Sequence, residues 1–179
     1  MLPGGASSIK VRSTPGNHLV TLSKAMCIPE KERDAQDEDM QSFYRSAVDL
    51  LIWIQQTVRY DISYSTQLLA SFLSNPGQNH FKALVWLAGY LKGSMLRGVK
   101  YSFGGNLEIS GYVDTNHLND VDDRLSTWAY VFVINGAPFS WKVGKMKRAM
   151  ESEIRAIDAM KHGIKELLYL KKVFDSLSL

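Results

Sequence analysis

Cysteine is almost absent from this sequence, which holds a single one, Cys27, in 179 residues. One cysteine excludes an internal disulfide framework and a cysteine-rich zinc site. The four histidines are scattered, and no pair has the spacing of metal ligands. No apolar run reaches the roughly 18–20 residues that cross a bilayer, and residues 1–5 lack the apolar core of a signal peptide. These absences predict a soluble intracellular protein of the cytoplasm or nucleus, neither secreted nor anchored in a membrane.

Common catalytic motifs are also missing. The chain has no G-x-S-x-G elbow for a serine nucleophile, no P-loop and no dinucleotide-binding fingerprint. The apolar fraction of 45% and the charged fraction of 22% are typical of a globular protein. The net charge of +3 permits contact with nucleic acid but does not require it.

The first half of the chain predicts an arm followed by helices. Residues 1–41 are expected to form an extended arm, because their acidic stretch Glu30–Asp39 has almost no apolar residue to bury and is expected to be a solvated loop. Residues 42–98 predict a small, basic bundle of three short helices. Asp61 is expected to cap the second helix. The apolar face of the first helix is expected to hold Phe43, Ala47, Leu50, Leu51 and Ile54.

Residues 99–179 predict antiparallel strands and then one long helix. The alternating stretches are Val99–Phe103, Leu107–Val113, Thr127–Ile134 and Ala137–Lys142, with Asp114 at the end of the second. The helix is expected from about Met150 to Leu177. Its apolar positions follow helical spacing and are Ile154, Ile157, Met160, Ile164, Leu167, Leu168 and Leu170. The predicted fold class is therefore α+β, and the tryptophans, Trp53 among them, are interpreted as core residues because each lies in an apolar periodic run.

Acidic residues form the first candidate site. Asp114 is expected at a strand end, and the acids nearby in the pattern are Asp120, Asp122, Asp123, Glu151, Glu153 and Asp158, with Asn116 and His117 beside Asp114. A strand-end aspartate that faces a carboxylate on a crossing helix can hold Mg²⁺, and two such ions could hydrolyse a phosphodiester. The same pattern also fits ordinary turns and a helix N-terminus, where glutamates favour the macrodipole without any function. His117 could act as a proton shuttle or have no role.

Basic residues form the second candidate site. Lys142, Lys145, Lys147 and Arg148 precede the acidic helix start. Beside a metal-binding acid cluster they would suit contacts to a phosphate backbone, although a solvated loop has the same composition. Lys82 and Lys92 of the basic bundle are further candidates for contact with nucleic acid.

Taken in order, a series of motifs resembles copia-type LTR retrotransposon Pol polyproteins, from the end of the reverse transcriptase into the ribonuclease H domain. The matching segments cover most of the chain. They are Ser13-Thr14-Pro15, Leu22-Ser23-Lys24, Tyr44–Val48, Arg59–Ile62, Phe72–Gly77 with His80, Tyr90–Gly93, Gly111–Asp114, Asp122–Arg124 with Ser126-Thr127, Ser140–Lys142 and Glu151–Glu153.

The resemblance implies a helical thumb or connection over 42–98 and a truncated ribonuclease H-like domain over 99–179. It implies that Asp114 and Glu153 are catalytic and metal-binding carboxylates, because Glu153-Ile154-Arg155-Ala156 fits the family's E-x-x-A pattern better than Glu151 does. Mg²⁺ is the implied cofactor and an RNA–DNA hybrid the implied ligand.

Departures from the family pattern set further expectations. The polymerase aspartates and the later ribonuclease H aspartate are not in the chain, so we expect weak Mg²⁺ binding and no ribonuclease activity from this chain alone. Asn116, Tyr60 and Asp49 replace an acid, a proline and a glycine of the family. Asp49, expected on an apolar helix face, is the kind of change that accumulates without selection. The missing segments predict an uncovered sheet edge and a partly uncovered long helix.

Three functions are consistent with these observations. The first is a retrotransposon-derived fragment without independent catalysis that retains affinity for nucleic acid. The second is a Mg²⁺-dependent hybrid ribonuclease that a partner or a missing segment completes. The third is a co-opted protein-interaction module that self-associates or binds a protein through the uncovered sheet edge.

Overall fold

The computed structural model describes residues 8–17, 21–29, 32–102, 104, 108–116, 121–147 and 152–177. The chain divides into two compact units, Met1–Gly98 and Val99–Leu179. The first unit is helical, whereas the second contains a three-stranded antiparallel sheet and one long helix. The α+β class is therefore confirmed. No helix among the described residues is both long and apolar enough to span a membrane.

Three helices form the first unit: α1 (Ala35–Thr57), α2 (Ser63–Ala70) and α3 (Gln78–Gly93). The expectation of a loop over the whole acidic stretch was wrong, because α1 begins at Ala35 and not at Ser42. Asp34 caps the helix by accepting a hydrogen bond from the Asp37 amide at 2.9 Å, and the Asp37 carboxylate accepts one from the Asp34 amide at 3.1 Å. The carboxylates therefore lie at a helix N-terminus, where the peptide dipoles favour negative charge.

The buried face of α1 differs from the predicted one. Tyr44 and Val48 are fully buried and Leu51 nearly so, whereas Phe43 and Leu50 are about half exposed. The physical reason lies partly in Tyr44, whose ring is buried while its hydroxyl donates to the Leu69 carbonyl at 2.9 Å.

Two further expectations on α1 were wrong because its buried face differs from the predicted one. Trp53 is 64% exposed and is not a core residue. Asp49 is exposed to solvent and does not lie on a buried apolar face. Its replacement of a family glycine therefore disturbs no packing and gives no sign of decay.

The described part of the predicted arm packs against the helices. The Arg12 amide donates to the Gly89 carbonyl at 3.2 Å, and its guanidinium lies 3.9 Å from the centre of the Trp86 ring. Further along, Leu22 is 5% exposed and belongs to the core of the first unit. The described part of the arm is therefore integral to the unit, and it contains a 3-10 helical turn at Lys24–Met26 as well as the start of α1.

A buried polar network joins the end of α1 to the end of α3. Arg59, 7% exposed, makes two hydrogen bonds to the Asp61 carboxylate at 2.9 and 2.8 Å. The same guanidinium donates to the Ser94 carbonyl and hydroxyl, and the Tyr90 hydroxyl donates to Asp61 at 2.6 Å. The expectation that Asp61 caps α2 was therefore wrong. Its carboxylate holds the chain between two helices.

Charge pairing in this network controls the protonation of Asp61. Burial favours the neutral acid and would raise the pKa of Asp61, but hydrogen bonds from Arg59 and Tyr90 and the charge of Arg59 outweigh it. The pKa of Asp61 is therefore lowered below its usual value.

The break before α3 is built from Asn75, Gly77 and His80. The Gly77 amide donates to Nδ1 of His80 at 2.8 Å, and the imidazole stacks on Phe72 with ring centres 4.0 Å apart. The Asn75 side chain donates to the Ile28 carbonyl at 2.9 Å. A Cβ on Gly77 would collide with the Met26 backbone, so only glycine fits this close approach.

Strands β1 (Ile109–Asn116), β2 (Thr127–Ile134) and β3 (Ala137–Lys145) form the sheet of the second unit in the order β1-β2-β3, followed by helix α4 (Ser152–Ser176). The prediction of a strand at Val99–Phe103 was wrong for residues 99–102, which are not in a strand. Alternation alone is not sufficient, because a strand also needs a partner to satisfy its backbone groups. Asp114 lies inside β1, opposite Ala129, and not at the strand end.

Helix α4 packs on the face of the sheet that carries Trp128, Tyr130 and Phe132. Gly163 allows a close approach to β1, since a Cβ there would lie 2.5 Å from Cγ2 of Val113. Only Leu170 of the seven predicted apolar positions of α4 is buried. The other six face away from the sheet and are about half exposed, so the expectation that the long helix is partly uncovered agrees with the structure.

Candidate nucleic-acid interface

The two carboxylates that the resemblance pairs lie on different elements, Asp114 on β1 and Glu153 on α4. The Val113 side chain lies beside Gly163 and therefore points to the α4 side of the sheet. Because side chains alternate along a strand, the neighbouring Asp114 points to the opposite face. There the Asp114 carboxylate is exposed and accepts a hydrogen bond from the next amide of its own strand, that of Thr115, at 2.8 Å. Glu153 lies in the first turn of α4, also exposed.

The other candidate acids add no ligand set in the described part of the chain. Asp123 accepts from the Lys145 ammonium at 2.7 Å, and Asp158 lies 3.9 Å from Lys161. Asp122 is exposed after the strand that ends at Asn116. Asp120, His117 and Glu151 lie outside the described residues. Among the residues that the structure describes, no group of three or more His, Cys, Asp or Glu side chains could hold a metal ion. These residues do not fit a Mg²⁺ pair.

Charged groups of both signs act on His162, the Asp158 carboxylate and three lysine ammonium groups. Lys142 faces α4 from β3, on the same side of the sheet as its register partner Tyr130, and Lys147 follows shortly after the strand. Burial lowers the pKa of the His162 imidazole below its usual value. Asp158 opposes that effect, and the ammonium groups of Lys165, Lys142 and Lys147 lower the pKa further. We call Lys142, Lys147, Lys165 and His162 the basic cluster.

An aromatic stack positions His162 in the basic cluster. Its ring lies on Trp128 with centres 3.9 Å apart and planes only 9° from parallel. Trp128 is 6% exposed, so its indole is a fixed support for the imidazole. One turn further along α4, Glu166 accepts from the Ser140 hydroxyl at 2.7 Å and fixes the helix against β3. These two contacts hold the middle of α4 in a fixed position against β2 and β3.

The predicted basic residues have different outcomes. Lys142 and Lys147 are exposed, whereas Lys145 forms an ion pair with Asp123. Arg148 lies outside the described residues. In the first unit Lys82 is exposed on α3, but the Lys92 ammonium donates to the Ile9 carbonyl at 3.0 Å and holds the N-terminal segment.

Sequence reasoning missed His162 and Lys165. Neither has a motif of its own, and His162 was counted among the scattered histidines. The available signal was helical spacing, because Ala159, His162 and Glu166 share one face of α4 and that face packs on the sheet.

The chain is similar to transposon proteins over most of its length. It is 34% identical over 170 residues to the retrovirus-related Pol polyprotein from transposon TNT 1-94 of Nicotiana tabacum, which covers 93% of this chain and 12% of that protein. It is 33% identical over 113 residues to the Pol polyprotein from transposon RE1 of Arabidopsis thaliana, covering 63% of this chain and 8% of that protein.

A third relative is a shorter protein. The chain is 29% identical over 128 residues to secreted RxLR effector protein 161 of Plasmopara viticola, covering 71% of this chain and 90% of the effector. No protein-family model matches the chain. No solved structure matches it either. The chain thus spans about a tenth of the length of the two polyproteins it matches. By these similarities, and by the order of its motifs, the chain belongs to the retrovirus-related Pol polyproteins from transposons.

Proposed function

We propose that this chain is a nucleic-acid-binding segment of a copia-type Pol polyprotein and has no independent catalysis. Its first unit would correspond to the thumb or connection of the reverse transcriptase and its second unit to the start of a ribonuclease H-like domain. The order of the motifs from Ser13 to Glu153 and the similarity to transposon Pol polyproteins support this assignment. Its ligand would be an RNA–DNA hybrid, bound through its phosphates.

The single observation that carries this proposal is the basic cluster. Lys142 lies on the α4 side of β3, as the register partner of Tyr130, and Lys142 and Lys147 are exposed to solvent. Their ammonium groups and that of Lys165 act on the His162 imidazole together with the Asp158 carboxylate. Lysines bind phosphate as point charges and release condensed counterions when they do so. A phosphate on the cluster would relieve the mutual repulsion of the lysines. Binding of this kind recognises the backbone and not the base sequence.

The test is the salt dependence of binding to a labelled RNA–DNA hybrid. Each phosphate contact contributes about 0.9 to the slope of log K against log salt, so the double variant Lys142→Gln/Lys147→Gln should flatten the slope by about 2. The matched control is Lys100→Gln, which removes an exposed charge of the same unit and should leave the slope within about 1 of the parent. Equal slopes for all three proteins would refute the assignment of the basic cluster.

Catalysis would need the carboxylates that this segment does not gather. We expect no cleavage of a labelled hybrid with Mg²⁺ or Mn²⁺, because Asp114 and Glu153 lie on different sides of the sheet layer. Cleavage that Glu153→Gln abolishes would instead support the second function, a ribonuclease that a partner completes. With the later part of a ribonuclease H-like domain supplied in trans to both proteins, cleavage by the parent that is lost in Asp114→Asn would indicate an incomplete enzyme, and no cleavage by either would indicate an inactive fragment.

A co-opted interaction module is the other candidate. The observation in its favour is the apolar surface on α4, where six aliphatic or Met side chains are about half exposed. The shorter relative, 90% of which is covered by the match, carries the name of a secreted effector, which is consistent with a Pol segment used outside a polyprotein. Hybrid binding that is absent at low salt, with protein association that persists at high salt, would favour this function over nucleic-acid binding.

A further inference from the structure

One face of α4 is apolar along most of its length and points away from the sheet. We call it the α4 stripe; its members are Ile154, Ile157, Met160, Ile164, Leu167 and Leu168. Each of these residues is between 48% and 55% exposed. The opposite face of the same helix packs on the sheet through Ala159, Gly163 and Leu170. The helix is thus apolar on two sides, and only one of them is covered.

This exposure is large for a helix surface. With about half of each side chain exposed, the α4 stripe offers on the order of 600 Å² of contiguous apolar area, which is at the upper end of patches on monomeric proteins. The face that packs on the sheet is less apolar than the exposed one, because it includes Arg155, His162 and Glu166. Packing within the unit therefore does not use the most apolar residues of α4.

We propose that the α4 stripe binds the α4 stripe of a second copy of this chain, with the two helices antiparallel. The spacing supports a helix partner, because Ile154, Ile157, Ile164 and Leu168 follow the alternating three- and four-residue steps of a coiled-coil seam, with Lys161 at the intervening position. A seam of this kind is satisfied by another helix with the same spacing, and a second copy supplies one.

Charge selects the antiparallel direction. The exposed charged residue at the start of α4 is Glu153, whereas Lys171, Lys172 and Asp175 are exposed near its end and together carry a net positive charge. A parallel pair would bring the lysines of both copies together. An antiparallel pair brings Glu153 of each copy to the lysines of the other, and also opposes the two helix dipoles favourably.

The available area is sufficient for a dimer. A two-fold axis between Met160 and Ile164 would bury the whole stripe on both copies, since that point lies near its middle. The aliphatic stems of Lys161 and Lys171 and the ring of Tyr169, itself 61% exposed, extend the contact toward the ~800 Å² per partner of a standard interface. The contact is independent of the basic cluster and of the proposed nucleic-acid binding.

The first experiment is sedimentation equilibrium of the full chain over a range of concentrations at low and high salt. We expect a dimer of twice the 20.2 kDa chain mass that persists in high salt, because apolar burial drives it. Ile164→Glu should raise the dissociation constant at least about a hundredfold, since two-fold symmetry puts both charges in the apolar seam. Glutamate is a good helix former, so the exposed site should remain helical, which circular dichroism checks.

The matched control is Leu50→Glu, which puts the same charge on the exposed side of α1, where Leu50 is 58% exposed. We expect this variant to dimerise like the parent. A chain that is monomeric at every concentration, or a dimer that Ile164→Glu leaves unchanged, would overturn the proposal. Loss of the dimer in Leu50→Glu alone would assign the interface to α1 and would overturn it as well.

The second experiment tests the direction of the helices by mixing. Glu153→Lys and the double variant Lys171→Glu/Lys172→Glu should each dimerise about tenfold more weakly than the parent, because each brings like charges together at both ends. An equimolar mixture should recover dimers as strong as those of the parent, since both ends of the mixed pair are then complementary. A mixture that stays as weak as its components contradicts the antiparallel arrangement. Variants that each associate like the parent, with a mixture stronger than the parent, would indicate a parallel pair and contradict it as well.

Discussion

Replacing Asp61 by asparagine should destabilise the first unit selectively. The substitution keeps the side-chain shape but removes the negative charge that faces the Arg59 guanidinium, which is 7% exposed. Removing one partner of a buried ion pair lowers the free energy of unfolding by about 3–5 kcal/mol. Because 28% of the Asp61 side chain is exposed, we expect a smaller loss, about 2–3 kcal/mol. Tyr90→Phe, which removes one hydroxyl donor, should cost about 1 kcal/mol.

The assay must distinguish the two units. Hydrogen exchange resolved by peptide measures opening free energies along the chain, so peptides from α1 and α3 report the loss while those from β2 serve as an internal control. A double-mutant cycle with Arg59→Met should give a coupling of about 2 kcal/mol, since Asp61→Asn costs little once the guanidinium is gone. A loss below about 0.5 kcal/mol, or an equal loss in peptides of both units, would refute the role assigned to the network.

The pH dependence gives an independent check of the same pair. The pKa of Asp61 lies below its ordinary value of 3.8 in the folded chain, because hydrogen bonds and charge outweigh its burial. Its contribution to stability is therefore complete above pH 3.8 and is lost as the pH falls through the lowered value. The stability difference between parent and Asp61→Asn should shrink over that acidic range, and a difference that is constant from neutral to acidic pH would contradict the reasoning.

Three further predictions follow from single sites. Gly77→Ala should lower the free energy of unfolding, measured by urea titration, by about 2–3 kcal/mol, because the new Cβ would meet the Met26 backbone. The control is Gly98→Ala, where a Cβ would have no neighbour and the free energy of unfolding should change little. Stability of the second unit should fall as the pH drops below 6.5, because the folded-state pKa of His162 is lowered and the unfolded chain takes up the proton first; His162→Gln should abolish that slope in hydrogen exchange. Trp53→Gln should change the unfolding free energy by less than about 0.5 kcal/mol in the same titration, and a loss above about 2 kcal/mol would show that its ring is buried.

Much of the fold could be predicted because hydrophobic period separates helices from strands. The three helices of the first unit and the long helix α4 were located from spacing of three and four residues. Their faces were harder to assign. On α1 the sequence offers apolar residues at both Phe43 and Tyr44, and the choice depends on a hydroxyl that finds the Leu69 carbonyl 25 residues later.

On α4 the buried face was harder still to predict from the sequence. Periodicity identified the most apolar side of the helix, but the sheet is contacted by the side that carries Gly163 and His162. Close backbone approach at Gly163 and stacking of His162 on Trp128 determine that contact, and neither depends on hydrophobicity. The basic cluster was predicted only in part, because sequence reasoning finds residues that are close in the chain and misses those that a later element contributes. Lys142 and Lys147 are neighbours in sequence, whereas Lys165 joins them only through the helix that follows.

The N-terminal segment determines where this chain can be shortened. Because Lys92 holds the Ile9 carbonyl and Arg12 lies on Trp86, a truncation that begins at residue 42 would uncover one side of α3 and remove Leu22 from the core. A helical piece that keeps these contacts therefore starts at or before Ile9. Any excised copy of this region, whether made by a genome or by an expression plasmid, would have to retain those residues to stay folded.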